Sequence, residues 1–132
     1  MQIVEALTNT LADAIDTDIG TTGFVRFYDT ALTTKFATIA CSNPAFGNAA
    51  TGAIAIDVTP ALTDTALAAG NVGRMGIYQN STAAAGAWRL LFGVATASGA
   101  DVTMSNLTVA TTDTIELTSL TITVPPGTVT LS

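Results

Sequence analysis

Histidine is absent from this 132-residue chain, and other reactive or charged types are scarce: one cysteine, four Lys plus Arg, and 6% Phe, Trp and Tyr. Without an imidazole there is no serine-histidine or cysteine-histidine pair, no histidine general base and no histidine metal ligand. Most familiar hydrolase chemistries are thereby excluded. Cys41 alone can neither close an internal disulfide nor build a thiolate zinc site, which excludes a disulfide-dense secreted scaffold. Ten acidic side chains against four basic ones give a net charge of −6 and a pI near 4.1. Arg26, Lys35, Arg74 and Arg89 are scattered, so neither nucleic acid nor an anionic membrane surface is an expected partner. Long apolar runs are missing too. Met1 to Leu11 holds no Lys or Arg and is interrupted by Glu5, Thr8 and Asn9. No secretory signal or membrane span is predicted, and a soluble protein made in the cytoplasm is expected. Asn80-Ser81-Thr82 and Asn106-Leu107-Thr108 match the glycosylation acceptor pattern by chance in a threonine-rich chain.

What is present suits a packed domain. Hydrophobic residues make up 48%, enough to offset the entropy of ordering, and the length is that of one domain. Charged residues reach only 11%, against a usual share of about 25%. With 25 threonines and 23 alanines, much of the surface must be small and neutral. Such a surface has few charges to desolvate and few long side chains to immobilise, so it suits repeated flat contacts between subunits.

The first nineteen residues differ from the rest. Ile3, Leu7, Leu11 and Ile15 recur every four positions, with helix-favouring alanines between them and Gly20 as a stop. This predicts a helix from Gln2 to Thr17, whose late aspartates oppose the helix dipole and fray its last turn. The stripe Ile3, Leu7, Leu11 and Ile15 is a candidate interface element, with packing onto the chain's own body as the alternative. Residues 20–132 read as a β domain, with strands predicted at Gly23–Tyr28, Lys35–Cys41, Ala53–Val58, Gly73–Gln79, Ala87–Thr96, Val102–Val109 and Thr114–Val124. Breaks such as Ser42-Asn43-Pro44, Ser98-Gly99 and Pro125-Pro126-Gly127 separate them. The expected fold is a mainly β, antiparallel β-sandwich, jelly-roll-like, with one N-terminal helix. Trp88, Leu90, Phe92 and Val94 share one strand face and form a candidate core set. In the last strand, a bulge at Thr118-Ser119 would bring Ile115, Leu117, Leu120, Ile122 and Val124 to one face.

Few constellations carry chemistry. Asp16-Thr17-Asp18-Ile19-Gly20 starts like a calcium loop but lacks the distal glutamate and following helix, so it reads as a helix end. Carboxylate pairs for glycoside hydrolysis lack accompanying aromatic platforms. Cys41, with no basic neighbour in sequence, reads as a small buried hydrophobe. Arg26 between Val25 and Phe27 is expected to pair with an acid on a neighbouring strand. No catalytic residue, metal site or cofactor is assigned.

In order along the chain stand Leu7 to Ile15, Phe24-Val25-Arg26-Phe27-Tyr28-Asp29-Thr30, Ser42-Asn43-Pro44-Ala45-Phe46-Gly47, Trp88-Arg89-Leu90-Leu91, Ser98-Gly99-Ala100-Asp101-Val102 and Leu117 to Pro125. Together they resemble a family of small virion-associated proteins of tailed bacteriophages. Members often carry a Gly-Thr-x-Pro turn after the first strand, where this chain has Asp29-Thr30-Ala31-Leu32. The resemblance implies a non-enzymatic virion protein that acts by burying surface, on the major capsid protein or other virion proteins, as a homo-oligomer with a trimer favoured. A capsid decoration (cement) role and a tail, neck or fibre role are both open. In the second, loops such as Asn80 to Gly86 or Ala95 to Asp101 would face a receptor or glycan. A far-ultraviolet circular-dichroism spectrum should be dominated by β structure with a minor helical part; a mainly helical spectrum would sink the sandwich expectation.

Overall fold

The computed structural model describes residues 4–96, 102–104 and 106–124. A helix, α1 (Glu5–Ile19), is followed by a single 3-10 turn (Gly20–Thr22). It stops at the predicted glycine, two residues beyond the predicted end at Thr17, because Gly20 takes a positive φ of 70° and its N–H bonds to the Asp16 carbonyl. The helix runs on to Ile19, which is buried and anchors the last turn in the core. Gln2 and Ile3, at the predicted start, lie outside the described residues.

Eleven short strands follow among the described residues: β1 (Phe24–Tyr28), β2 (Lys35–Ala40), β3 (Ala53–Ala55), β4 (Leu62–Thr65), β5 (Gly70–Asn71), β6 (Arg74–Tyr78), β7 (Leu90–Ala95), β8 (Val102–Thr103), β9 (Thr108–Val109), β10 (Thr114–Leu117) and β11 (Thr121–Thr123). The main sheet has the order β2-β1-β6-β7-β8, antiparallel except for the parallel pair β7–β8. Three two-stranded ladders, β10–β4, β11–β3 and β5–β9, complete the set. The protein is therefore mainly β with several sheets and one N-terminal helix.

Alternation places the core. Val25 and Phe27 of β1, Ile39 of β2, and Met75 and Ile77 of β6 point to one side of the main sheet and are buried. They share one apolar cluster with Ile54, Leu62, Ile115 and Leu117 from the ladders. A bulge at Phe36, between the pairs Phe27↔Ala37 and Tyr28↔Lys35, adds a second consecutive buried side chain to β2.

The opposite face of the main sheet is closed differently. Arg26 is buried, yet among the described residues it meets no acid, contrary to the sequence expectation. Its guanidinium donates to the carbonyls of Ala83 (2.7 Å), Ser81 and Asn80 (3.4 Å) and lies 4.4 Å from the Tyr78 ring centroid. Tyr78 Oη in turn donates to the Ala85 carbonyl (2.6 Å). Gly76 leaves room for this ring, since a Cβ there would lie 2.7 Å from a ring carbon. Carbonyls already held by turn geometry supply the partial negative charge that a carboxylate otherwise provides. Burial, and next the neighbouring Tyr28, push the Tyr78 hydroxyl up to about 12.

Other differences have local causes. The strand expected at Ala87–Thr96 starts at Leu90, so Trp88 falls outside the alternation and is 41% exposed, not core; Leu90, Phe92 and Val94 do face the core. The stretch Val102–Val109 splits into β8 and β9 with different partners. β4 and β5 were not predicted, because Leu62-Thr63-Asp64-Thr65 and Gly70-Asn71 are too polar and short to show a strand pattern. In place of one bulged last strand, β10 pairs with β4 and β11 with β3. The break at 118–120 still turns Ile115, Leu117 and Leu120 inward and leaves Thr114, Glu116 and Thr121 outside. The predicted breaks at Ser98-Gly99 and Pro125-Pro126-Gly127 lie outside the described residues.

Thr51 and Gly52 form a two-residue turn with φ of 51° and 74°, closed by reciprocal bonds between Ala50 and Ala53. Two positive φ values mark the type that favours Asn-Gly. A Cβ on Gly52 would lie 2.7 Å from the Val124 carbonyl oxygen. Gly52→Ala should therefore lower stability by at least about 2 kcal/mol, whereas Thr51→Asn should raise it by about 0.5–1 kcal/mol. Urea melts of both variants check this, and a neutral Gly52→Ala would refute the turn geometry.

Candidate functional site

Helix α1 has two faces, and their roles are inverted relative to a simple amphipathic helix. Asn9, Asp13 and Asp16, spaced i, i+4 and i+7, lie along one stripe. Each accepts a backbone N–H from the irregular stretch 46–52: Gly52 to Asn9 Oδ1 (2.7 Å), Ala49 to Asp13 Oδ1 (2.7 Å) and Phe46 to Asp16 Oδ1 (2.9 Å). These amides have little ladder to join, so side-chain acceptors satisfy them. Thr8 and Ala12, on the same flank, are buried. The helix docks on its own body through this polar stripe, through Thr8 and Ala12, and through Ile15 and Ile19 near its end.

The apolar stripe faces outward as a result. Leu7 and Leu11 are 48% and 45% exposed, and Val4 extends the patch at 69%. Ile15, at the far end, is half-buried against the core. Of the four predicted interface residues, then, Leu7 and Leu11 are on the surface, Ile15 bridges surface and core, and Ile3 lies outside the described residues. Leu11 and Ile15 continue into a shallow groove of about 250 Å³ with Ala14, Ile19 and Leu90. Its rim is the ion pair Arg89 Nε–Asp18 Oδ2 (2.6 Å), doubled by Arg89 Nη2 to Asp18 Oδ1 (2.8 Å). The hydrogen bond and charge of Asp18 hold the Arg89 proton more firmly than usual. Gln79 Nε2 also donates to the Asp18 carbonyl (2.7 Å), so the helix end is tied down where fraying was expected.

Asp16 and Asp18, the start of the calcium-like run, serve these separate partners. Among the described residues no three His, Cys, Asp or Glu side chains gather as a metal site. Cys41 follows β2 and is half-buried against the core. Burial, reinforced by the Asp16 charge, pushes its thiol up to about 11, so it stays protonated and unreactive near neutrality. The loop Asn80 to Gly86 is exposed at Asn80, Ser81, Thr82, Ala84 and Gly86 and braced from below by Arg26 and Tyr78. Of the loop Ala95 to Asp101, residues 97–101 lie outside the described residues.

Sequence reasoning found the apolar stripe and missed the acceptor stripe. Its signal was present, in three short side-chain acceptors at helical spacing opposite the leucines. No helix among the described residues is long and apolar enough to cross a membrane. Compared with known proteins, the chain matches no family model, no curated protein and no solved structure.

The two faces separate by mutation. Asp16→Ala, which strands the Phe46 amide, should cost about 1–3 kcal/mol. The double change of Leu7 and Leu11 to Ser should stay within about 0.5 kcal/mol in the isolated chain. Thermal melts decide: an equal loss from the leucine pair would mean that the stripe is packed internally.

Proposed function

We propose that this chain is a non-enzymatic structural protein of a tailed-bacteriophage virion, acting as a capsid decoration (cement) protein. The observation that carries the reading is the outward Val4, Leu7 and Leu11 stripe on a helix fixed to the body by its other face. An apolar patch so held is suited to permanent cover by another subunit. The sparse charge of the chain favours the same use. We further infer a β-sandwich, with the main sheet and the short ladders as its two sides around the shared core. A homo-oligomer, with a trimer favoured, would present several such helices at once. The mechanism is mass action: a subunit that binds only the mature lattice stabilises that state by its binding free energy, and repetition adds avidity.

A tail, neck or fibre component is the second reading, favoured by the braced, polar tip of the Asn80 to Gly86 loop, which is pre-ordered for contact with a host surface. Copy number per purified particle, measured by quantitative mass spectrometry against the major capsid subunit, separates the two. A ratio near one to one, or one per capsomer junction, is the expected result. A few copies to dozens would move the protein to the tail, and absence from particles would overturn both readings.

A further inference from the structure

Among the described residues the strands trace a ring with an opening. β10 pairs with β4, and β4 meets β2, the edge of the main sheet: Thr38 N–H donates to Asp64 Oδ2 (3.0 Å) and Leu67 N–H to the Phe36 carbonyl (2.8 Å). From β2 the sheet runs through β1, β6 and β7 to β8. Among the described residues the circuit stops between β8 and β10.

Hydrogen-bond phase shows what borders this gap. Ala66 N–H bonds to the Asp113 carbonyl (2.7 Å), so Ile115 and Leu117 turn their peptide groups toward β4, and Thr114 and Glu116 turn theirs away. On the other side, Met104 N–H bonds to the Ala95 carbonyl (2.9 Å), which points the Thr103 peptide groups away from β7. Among the described residues nothing answers these groups. Two adjoining clefts of about 270 Å³ and 560 Å³ occupy the gap and share Thr103, Met104, Glu116 and Thr118. Phe27, Val102, Leu117 and Leu120 contribute an apolar lining to the first.

We propose that this seam is a strand-acceptor site for an extended segment of a partner protein, with a Lys or Arg side chain opposite Glu116. Such a segment joins two free edges at once, satisfying backbone groups on both sides and closing the ring. Charge selects the partner. Asp113 and Glu116 line the clefts, and no Lys or Arg does. A second copy of this chain is a poor donor, because none of its four cations stands on an unpaired extended segment. Arg26 is buried in β1, the exposed Lys35 and the half-buried Arg74 belong to β2 and β6, which already pair with β1, and Arg89 holds Asp18 just before β7. The inference concerns a surface distinct from the helix stripe and does not rest on the virion reading.

The test uses the full isotope-labelled chain and three capped nonapeptides of alternating Thr and Val: one with a central Lys, one with a central Glu, and the Lys peptide with alternate amides N-methylated. Amide exchange at Thr114 and Glu116 is followed together with binding. The Lys peptide should slow exchange at both amides and bind about tenfold more tightly than the Glu peptide, and the N-methylated peptide should not bind. Glu116→Gln should remove the Lys preference while keeping the exchange protection. Four results would overturn the proposal: no protection at millimolar peptide, equal binding of Lys and Glu peptides, protection already present in the free monomer, or protection that appears only with self-association.

Discussion

Backbone amides at 46–52 set the arrangement of this molecule. The stretch bends between β2 and β3 and joins the ladders through single bridges such as Phe46↔Ile56, with Phe46 and Gly52 at its two ends buried. Amides in that position need acceptors from elsewhere, and a buried unpaired one is costly. Helix α1 supplies them from Asn9, Asp13 and Asp16, and that commitment fixes which way the helix is rotated. Once the acceptor stripe faces inward, the leucine stripe must face out. The exposed apolar patch is thus a consequence of satisfying hydrogen bonds, and the surface on which the functional proposal rests originates in an interior requirement.

The main sheet solves a second problem with the same economy of residue types. Among the described residues, its outer face has no layer of strands or helices over Arg26. Instead the segment after β6 folds back, and its carbonyls are gathered by one guanidinium stacked on Tyr78. A planar group with several donors can hold three carbonyls at once, which an ammonium group on a lysine would do with less directional order. The interaction covers the sheet and shapes the Asn80 to Gly86 loop in one step.

Much of the fold was legible in the sequence because period-2 alternation and turn residues report a strand's own burial. β1, β2 and β6 were found almost to the residue, and the inward set at 115–120 was found although its ladder partners were not. The glycine stop of α1 was also clear. What escaped depended on contacts remote in sequence. Arg26 looked like an ion-pair partner because its carbonyl acceptors, more than fifty residues away, leave no compositional trace. Trp88 looked buried because alternation was extended two residues past the true strand start. β4 and β5 are strands only because β10 and β9 pair with them. For the candidate site, the leucine stripe was visible but its direction was not, since apolar periodicity identifies a face without saying whether the chain itself or a neighbour covers it.

Gly52 joins three parts of the chain that are far apart in sequence. Its N–H is held by Asn9 of the helix, its carbonyl accepts the Val124 N–H just past β11, and its own turn opens β3. In mechanical terms it is a rivet. A shear load on the outward face of α1 is carried by short, directional bonds into the 46–52 stretch and on to β11, in addition to the apolar contacts of Ala12 and Ile19. A protein built this way can be pressed or pulled at its helix without the helix rolling over its body, a property that matters wherever its neighbours are under tension.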